Sequence, residues 1–114
     1  MPQSLKSIKS KLISALKPYQ PQKIYIYGSY ARGQNKKDSD LDVLIIKNTN
    51  KQPRQRLGDV YSLIYSRKNL ESRAFNISIE PIVYTPREFE IRKNINDSFI
   101  KELVKDAQLI YEKH

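Results

Sequence analysis

Three short stretches carry residues whose types and spacing suit phosphate and metal chemistry. Gly28-Ser29 follows the run Lys23–Tyr27, ten residues intervene, and Asp40-Leu41-Asp42 opens a second apolar run. Glu80 lies further on, within Phe75–Tyr84 (FNISIEPIVY). Carboxylates at i and i+2 of a strand leave the same face, separated by roughly 6.5–7 Å of rise, so both reach one divalent ion between them. Mg²⁺ takes hard oxygen ligands and is commonly held by one or two carboxylates plus substrate phosphates. A third carboxylate from a neighbouring strand would complete a site for two ions about 3.5–4 Å apart, a clamp suited to in-line phosphoryl displacement. Alternation puts Ser78, Glu80 and Ile82 on one face and Ile77, Ile79 and Val83 on the other, which makes Glu80 that third candidate. Gly28 has no Cβ to hold a phosphate away from the backbone. Ser29 adds a hydroxyl, and free amides at a helix start attract anions. Arg32, Lys36 and Lys37 stand beside this cradle, where they either neutralise a triphosphate or sit on a solvated loop. Taken singly, Gly28-Ser29 also reads as an ordinary capped turn and Glu80 as an exposed edge residue.

The elements that must position these residues follow from periodicity. Leu5, Ile8, Leu12, Ile13 and Leu16 have helical spacing over Ser4–Lys17, and Pro18 and Pro21 end that helix. Lys23–Tyr27 alternates as a strand and stops at Gly28. A short helix is expected over Ser29–Arg32, then a polar loop over Gly33–Ser39. Asp40–Ile46 reads as a second strand, apolar on both faces like a central one. Leu57, Val60, Tyr61, Leu63 and Ile64 support a helix from about Pro53 to Arg67. Phe75–Tyr84 reads as a third strand, with Pro81 implying a bulge or an edge. Thr85 with Glu88 forms a capping box for a short helix at Pro86, and Asp97 caps a last helix through Phe99, Ile100, Leu103 and Ala107. Leu109–Tyr111 either adds an edge strand or extends that helix. The expected fold class is α/β (α+β): a small mixed sheet flanked by helices, in one domain spanning 1–114.

Composition narrows the chemistry. The chain has 114 residues, no cysteine, and one histidine, His114 at the end. Disulfides, thiolate zinc sites and histidine-based catalysis are therefore not expected, which leaves carboxylates, hydroxyls and cations. Lys and Arg number 21 against 12 Asp and Glu, a formal charge of +9 that favours an anionic partner. No apolar run nears the ~20 residues of a membrane span, and lysines interrupt the N-terminal apolar residues as no signal peptide would. A cytoplasmic protein with no membrane partner is expected.

The stretch GSYARGQNKKDSDLD resembles the nucleotidyltransferase superfamily typified by DNA polymerase beta: Gly-Ser, ten residues, then Asp-x-Asp. Chance placement of that pattern in this composition is on the order of 10⁻³. The likeness is nearest to the minimal nucleotidyltransferases, which consist of the catalytic domain alone. The resemblance implies a polymerase beta-like fold and two Mg²⁺ ions held by Asp40, Asp42 and Glu80. It further implies nucleotide binding at Gly28, Ser29 and Arg32, with ATP as the donor of AMP. Many such proteins partner a HEPN-domain toxin and transfer AMP to a toxin tyrosine, so the resemblance also implies an antitoxin. Two other readings stay open: an antitoxin that inhibits by occlusion without catalysis, and an enzyme adding nucleotides to RNA, for which the charge would serve.

Overall fold

A computed structural model describes residues 4–114. Helix α1 (Leu5–Leu16) starts at Ser4, whose hydroxyl accepts the Ser7 amide N–H, and it buries Ile8, Leu12 and Leu16. A 3₁₀ turn at Lys17–Tyr19 then leads into β1 (Lys23–Tyr27). Strands β2 (Leu41–Ile46), β3 (Ile79–Tyr84) and β4 (Gln108–Glu112) complete a four-stranded sheet in the order β3-β2-β1-β4. β1 runs antiparallel to β2 and β4, whereas β2 and β3 are parallel, so the sheet is mixed as expected. The parallel crossover is carried by α3 (Pro53–Ile64) and α4 (Arg67–Ser72). The short α2 (Ser29–Arg32) joins β1 to β2, and α5 (Pro86–Asn94) and α6 (Ser98–Asp106) join β3 to β4.

Alternation divides the sheet into two faces. Ile24, Ile26, Leu41, Val43, Ile45, Ile79 and Val83 point to one core, shared with Ile8, Leu12, Leu16, Val60 and Ile64 of α1 and α3. Tyr27, Leu44 and Ile46 point to the other, against Ile100 and Leu103 of α6. Tyr30 of α2 packs in the first core.

Several boundaries differ from the sequence expectation. The helix expected over Pro53–Arg67 ends at Ile64, because Ser66 caps a separate α4 by accepting the Asn69 N–H. Asn69 Nδ2 in turn donates to the Leu63 and Ile64 carbonyls, which satisfies the end of α3. β3 begins at Ile79 rather than Phe75, since its parallel partner β2 offers a ladder only from Leu41, paired with Ile79. Asp40 precedes β2 instead of opening it. The C-terminal segment is a strand: Ala107 takes an extended conformation, and Gln108–Glu112 pairs with β1.

Arg56 of α3 is buried. Its Nη1 and Nη2 donate to the two oxygens of Glu88, its Nε to the Lys51 carbonyl and its Nη1 to that of Val83. Glu88 also closes the Thr85 capping box, so one carboxylate caps α5 and ties it to α3 around the β3 edge. That edge offers no ladder to another strand: the Ile79 N–H donates to the Tyr65 hydroxyl, Pro81 has no N–H, and the Val83 carbonyl accepts from Arg56. Pro81 thus lies on an edge strand, where its missing N–H breaks no ladder.

Candidate active site

Gly28 sits between β1 and α2 with φ +75°, a left-handed conformation that glycine adopts without strain. A Cβ there would also collide with the Asp42 carboxylate, meeting Oδ2 first and Cγ at 3.3 Å. The glycine is therefore needed twice, for backbone conformation and for contact. The contact follows from register: Tyr27 pairs with Asp42 across β1 and β2, and Asp42 pairs with Glu80 across β2 and β3. Tyr27, Asp42 and Glu80 form a row across three strands on the face that α6 covers. Asp40 stands just before β2, exposed, and its charge acts on Asp42.

The electrostatics of the row are those of unbalanced like charges. Partial burial, then Asp40, then Glu80 push the Asp42 carboxyl above the usual range, and Arg32 offsets part of this. Burial followed by Asp42, Tyr84 and Glu80 holds the Tyr27 phenol well above its ordinary value. Clustered carboxylates of this kind favour a bound proton or a cation. Among the described residues, no three His, Cys, Asp or Glu side chains converge closely enough to hold a metal ion as they stand. The donor chemistry nonetheless fits Mg²⁺: hard oxygens flank a cradle that a single methyl group would fill. Asp42 and Glu80 share the row, with Asp40 at its entrance.

The phosphate cradle expected from the sequence lies at the start of α2. Gly28 offers no side chain to cap that helix, and its N-cap carries no side-chain hydrogen bond. Gly33, at φ +70°, closes the turn, and the Gln34 N–H returns to the Ser29 carbonyl. Lys36 and Lys37 are exposed on the following loop. Arg32 is tied down: Nη1 pairs with Asp106 Oδ2 at 2.9 Å and Nε donates to Gln34 Oε1 at 3.1 Å. Between this pair and Gly28 lies a cleft of about 110 Å³, walled by Tyr27, Phe99 and Leu103. Tyr27 and Phe99 meet edge to face there, centroids 6.2 Å apart.

Sequence reasoning missed Tyr27 and the Tyr61–Tyr65 pair. Tyr27 was readable from strand parity, and an i, i+4 aromatic pair on a helix is a readable stacking signal. The rings of Tyr61 and Tyr65 stack at 6.1 Å and 16°. The Tyr65 hydroxyl accepts the N–H of Ile79, which puts this pair beside the row's outer end, and burial followed by the Glu80 charge raises the Tyr61 phenol. Asp106, the partner of Arg32, gave no local signal.

The comparisons agree with this architecture. A family model described as "Polymerase beta, Nucleotidyltransferase" matches residues 10–114. A Methanocaldococcus jannaschii protein named as a protein adenylyltransferase is 32% identical over 99 residues, 87% of this chain and 87% of that one. A crystal structure of a toxin–antitoxin with AMP-PNP superposes with a TM-score of 0.61 at 17% identity, covering 93% of this chain and 74% of that chain. A Sulfolobus solfataricus protein described as a nucleotidyltransferase gives a TM-score of 0.58 at 21% identity, covering 96% and 80%. The two structural likenesses establish the fold.

Proposed function

The chain is a nucleotidyltransferase of the polymerase beta family, and from that premise we propose that it transfers AMP from ATP to a tyrosine hydroxyl of a HEPN-family toxin, and so acts as an antitoxin. The observation that carries this reading is the row in which Asp42 is pressed against Gly28 on one side and faces Glu80 on the other. It sets a phosphate cradle and a carboxylate cluster one strand apart. The relative named as a protein adenylyltransferase supports AMP as the group moved and a protein as its acceptor. The toxin–antitoxin neighbour with AMP-PNP supports a toxin partner and an adenine nucleotide.

Gly28 and the α2 amides bind the triphosphate tail, and the Ser29 hydroxyl donates to it. Arg32, steered by Asp106, places a positive charge beside the same phosphates. Asp40, Asp42 and Glu80 would hold two Mg²⁺ ions, which when bound supply charge neutralisation and polarise the α-phosphate. The acceptor oxygen forms a bond to the α-phosphorus while the bond from that phosphorus to the bridging oxygen breaks and pyrophosphate leaves. Glu80 accepts the acceptor's proton. Little covalent work falls to the protein, so positioning and charge carry the rate.

The test is incubation with α-³²P-ATP and Mg²⁺, with and without the protein encoded next door. Label should move to that partner and fall by at least about 10²–10³-fold in Asp40→Ala/Asp42→Ala, the scale on which preorganised electrostatic groups act. Unlabelled partner in a tight complex, neutralised equally well by the double variant, would favour inhibition by occlusion.

A further inference from the structure

In-line displacement puts the attacking oxygen opposite the leaving pyrophosphate. With the triphosphate tail at Gly28 and Ser29, on the β1 side of the row, an acceptor arrives from the β3 side, beyond Glu80. The groups standing there are aromatic. Tyr61 and Tyr65 lie one helical turn apart and stack. Tyr65 is anchored, its hydroxyl accepting the N–H of Ile79, the residue before Glu80, at 3.3 Å. Tyr61 is held against that fixed ring yet remains 38% exposed, and the Glu80 charge reaches its phenol. Tyr65 also lines a cleft of about 230 Å³ with Ile64, Leu70, Arg73 and Phe75.

We propose that Tyr61, backed by Tyr65, is the seat for an aromatic acceptor: the incoming phenol ring lies against Tyr61 with its hydroxyl toward Glu80, and the cleft that Tyr65 lines receives an apolar residue of the same segment. The inference rests on the transferase reading and names the surface that seats its acceptor. An exposed ring already immobilised by a second ring loses little freedom when a third stacks on it, which is why aromatic side chains suit such seats. Tyr61 is then a positioning residue that selects phenolic over aliphatic hydroxyls. On the β1 side the Phe99–Tyr27 pair borders the small cleft lined by Gly28 and Arg32, the place given above to the triphosphate tail, so that pair stands on the leaving-group side.

The test is a titration of ¹⁵N-labelled protein with N-acetyl-L-tyrosinamide in the absence of nucleotide. The amides of Tyr61, Tyr65 and Ile79 should shift, and N-acetyl-L-serinamide should leave them unmoved. Tyr61→Ala should weaken binding about threefold to tenfold, the scale of one aromatic pair, while Tyr61→Phe retains it. Shifts confined to other surfaces, shifts at Tyr61 with adenosine but not tyrosinamide, or equal binding by Tyr61→Ala would overturn the proposal. A kinetic arm uses whichever protein the wild type labels: Tyr61→Ala should raise the acceptor KM and leave the ATP KM unchanged, and the reverse pattern would overturn the seat. If the wild type labels no protein, the transferase reading fails by itself, and the titration still decides whether the ring seat exists.

Discussion

On one face of the sheet Leu41, Val43 and Ile45 of β2 are wholly buried beneath α1 and α3. On the other, the same strand presents Asp42, Leu44 and Ile46 in that order, and only the last two are covered to the same degree. The first face holds apolar side chains along the whole strand. The second grades from a packed end, against Ile100 and Leu103, to an open end where Asp42 faces Glu80. The helices on this side are themselves less committed to packing: α5 buries no residue fully, and Ile91, Ile95, Phe99 and Val104 stay exposed. A period of two thus lets one strand serve a dry core and a charged site at once. Like charges at the open end keep water and cations within reach, which a second fully packed face would forbid. Substitutions on the two faces should therefore separate stability from activity.

The largest expected effect on stability is on the packed face. Leu12 is fully buried between α1 and the sheet, and Leu12→Ala should cost about 2–5 kcal/mol, the lost transfer energy plus an unfilled cavity. Urea denaturation measures this, and a loss below about 1 kcal/mol would mean that the α1 face is not the main core. Phe99→Ala, on the open face and 47% exposed, serves as the contrast and should stay well below Leu12→Ala.

Arg56 links the two faces, since it leaves α3 beneath the sheet and meets Glu88 of α5 around the β3 edge. Arg56→Met should cost about 1–3 kcal/mol, because the Val83 and Lys51 carbonyls lose a donor while Glu88 remains partly solvated. Lysine should not restore the loss, as a single ammonium cannot replace the two parallel bonds of the guanidinium fork. If Arg56→Met were neutral, the faces would be coupled through the strand alone.

Arg56 also marks the limit of what could be read from the sequence. Its spacing from Val60 and Ile64 puts it on the buried face of α3, but nothing nearby in sequence marks its partner Glu88, 32 residues away. The Arg32–Asp106 pair spans 74 residues and was invisible for the same reason. Local chemistry was legible: the Thr85–Glu88 box, the Asp97 cap and the arrest of β1 at Gly28 are set by neighbours in sequence. Parity grouped Glu80 with Ser78 and Ile82 within its own strand; that it stands opposite Asp42 depends on the β2–β3 register. That Gly28 backs onto Asp42 depends likewise on the β1–β2 register, which a long loop leaves free. The break between α3 and α4 was hidden because apolar spacing runs on toward Tyr65, and only the Ser66 hydroxyl signals a new start.

The smallest predicted effect separates the two kinds of carboxylate most sharply. Asp42 has its folded pKa raised, first by burial and then by Asp40 and Glu80, so the native state binds that proton more tightly than the unfolded chain. Its charge therefore opposes folding above the folded pKa, and the penalty vanishes below the ordinary aspartate value. Between these two values its contribution to stability falls as pH rises. Asp42→Asn should accordingly gain about 0.2–1 kcal/mol at neutral pH, the scale of like charges across paired strands, and the gain should disappear in acid. Glu88 has the opposite sign. Its pKa is lowered chiefly by the hydrogen bond from Arg56, so its stabilisation is complete above the ordinary glutamate value and is lost as pH falls through the folded one. Urea midpoints of the wild type, Asp42→Asn and Glu88→Gln over a pH series would show the curves diverging in opposite directions. An Asp42→Asn variant less stable at neutral pH would instead mean that this carboxylate is a structural member of the sheet, and the open end of the row would lose its claim to be a cation site.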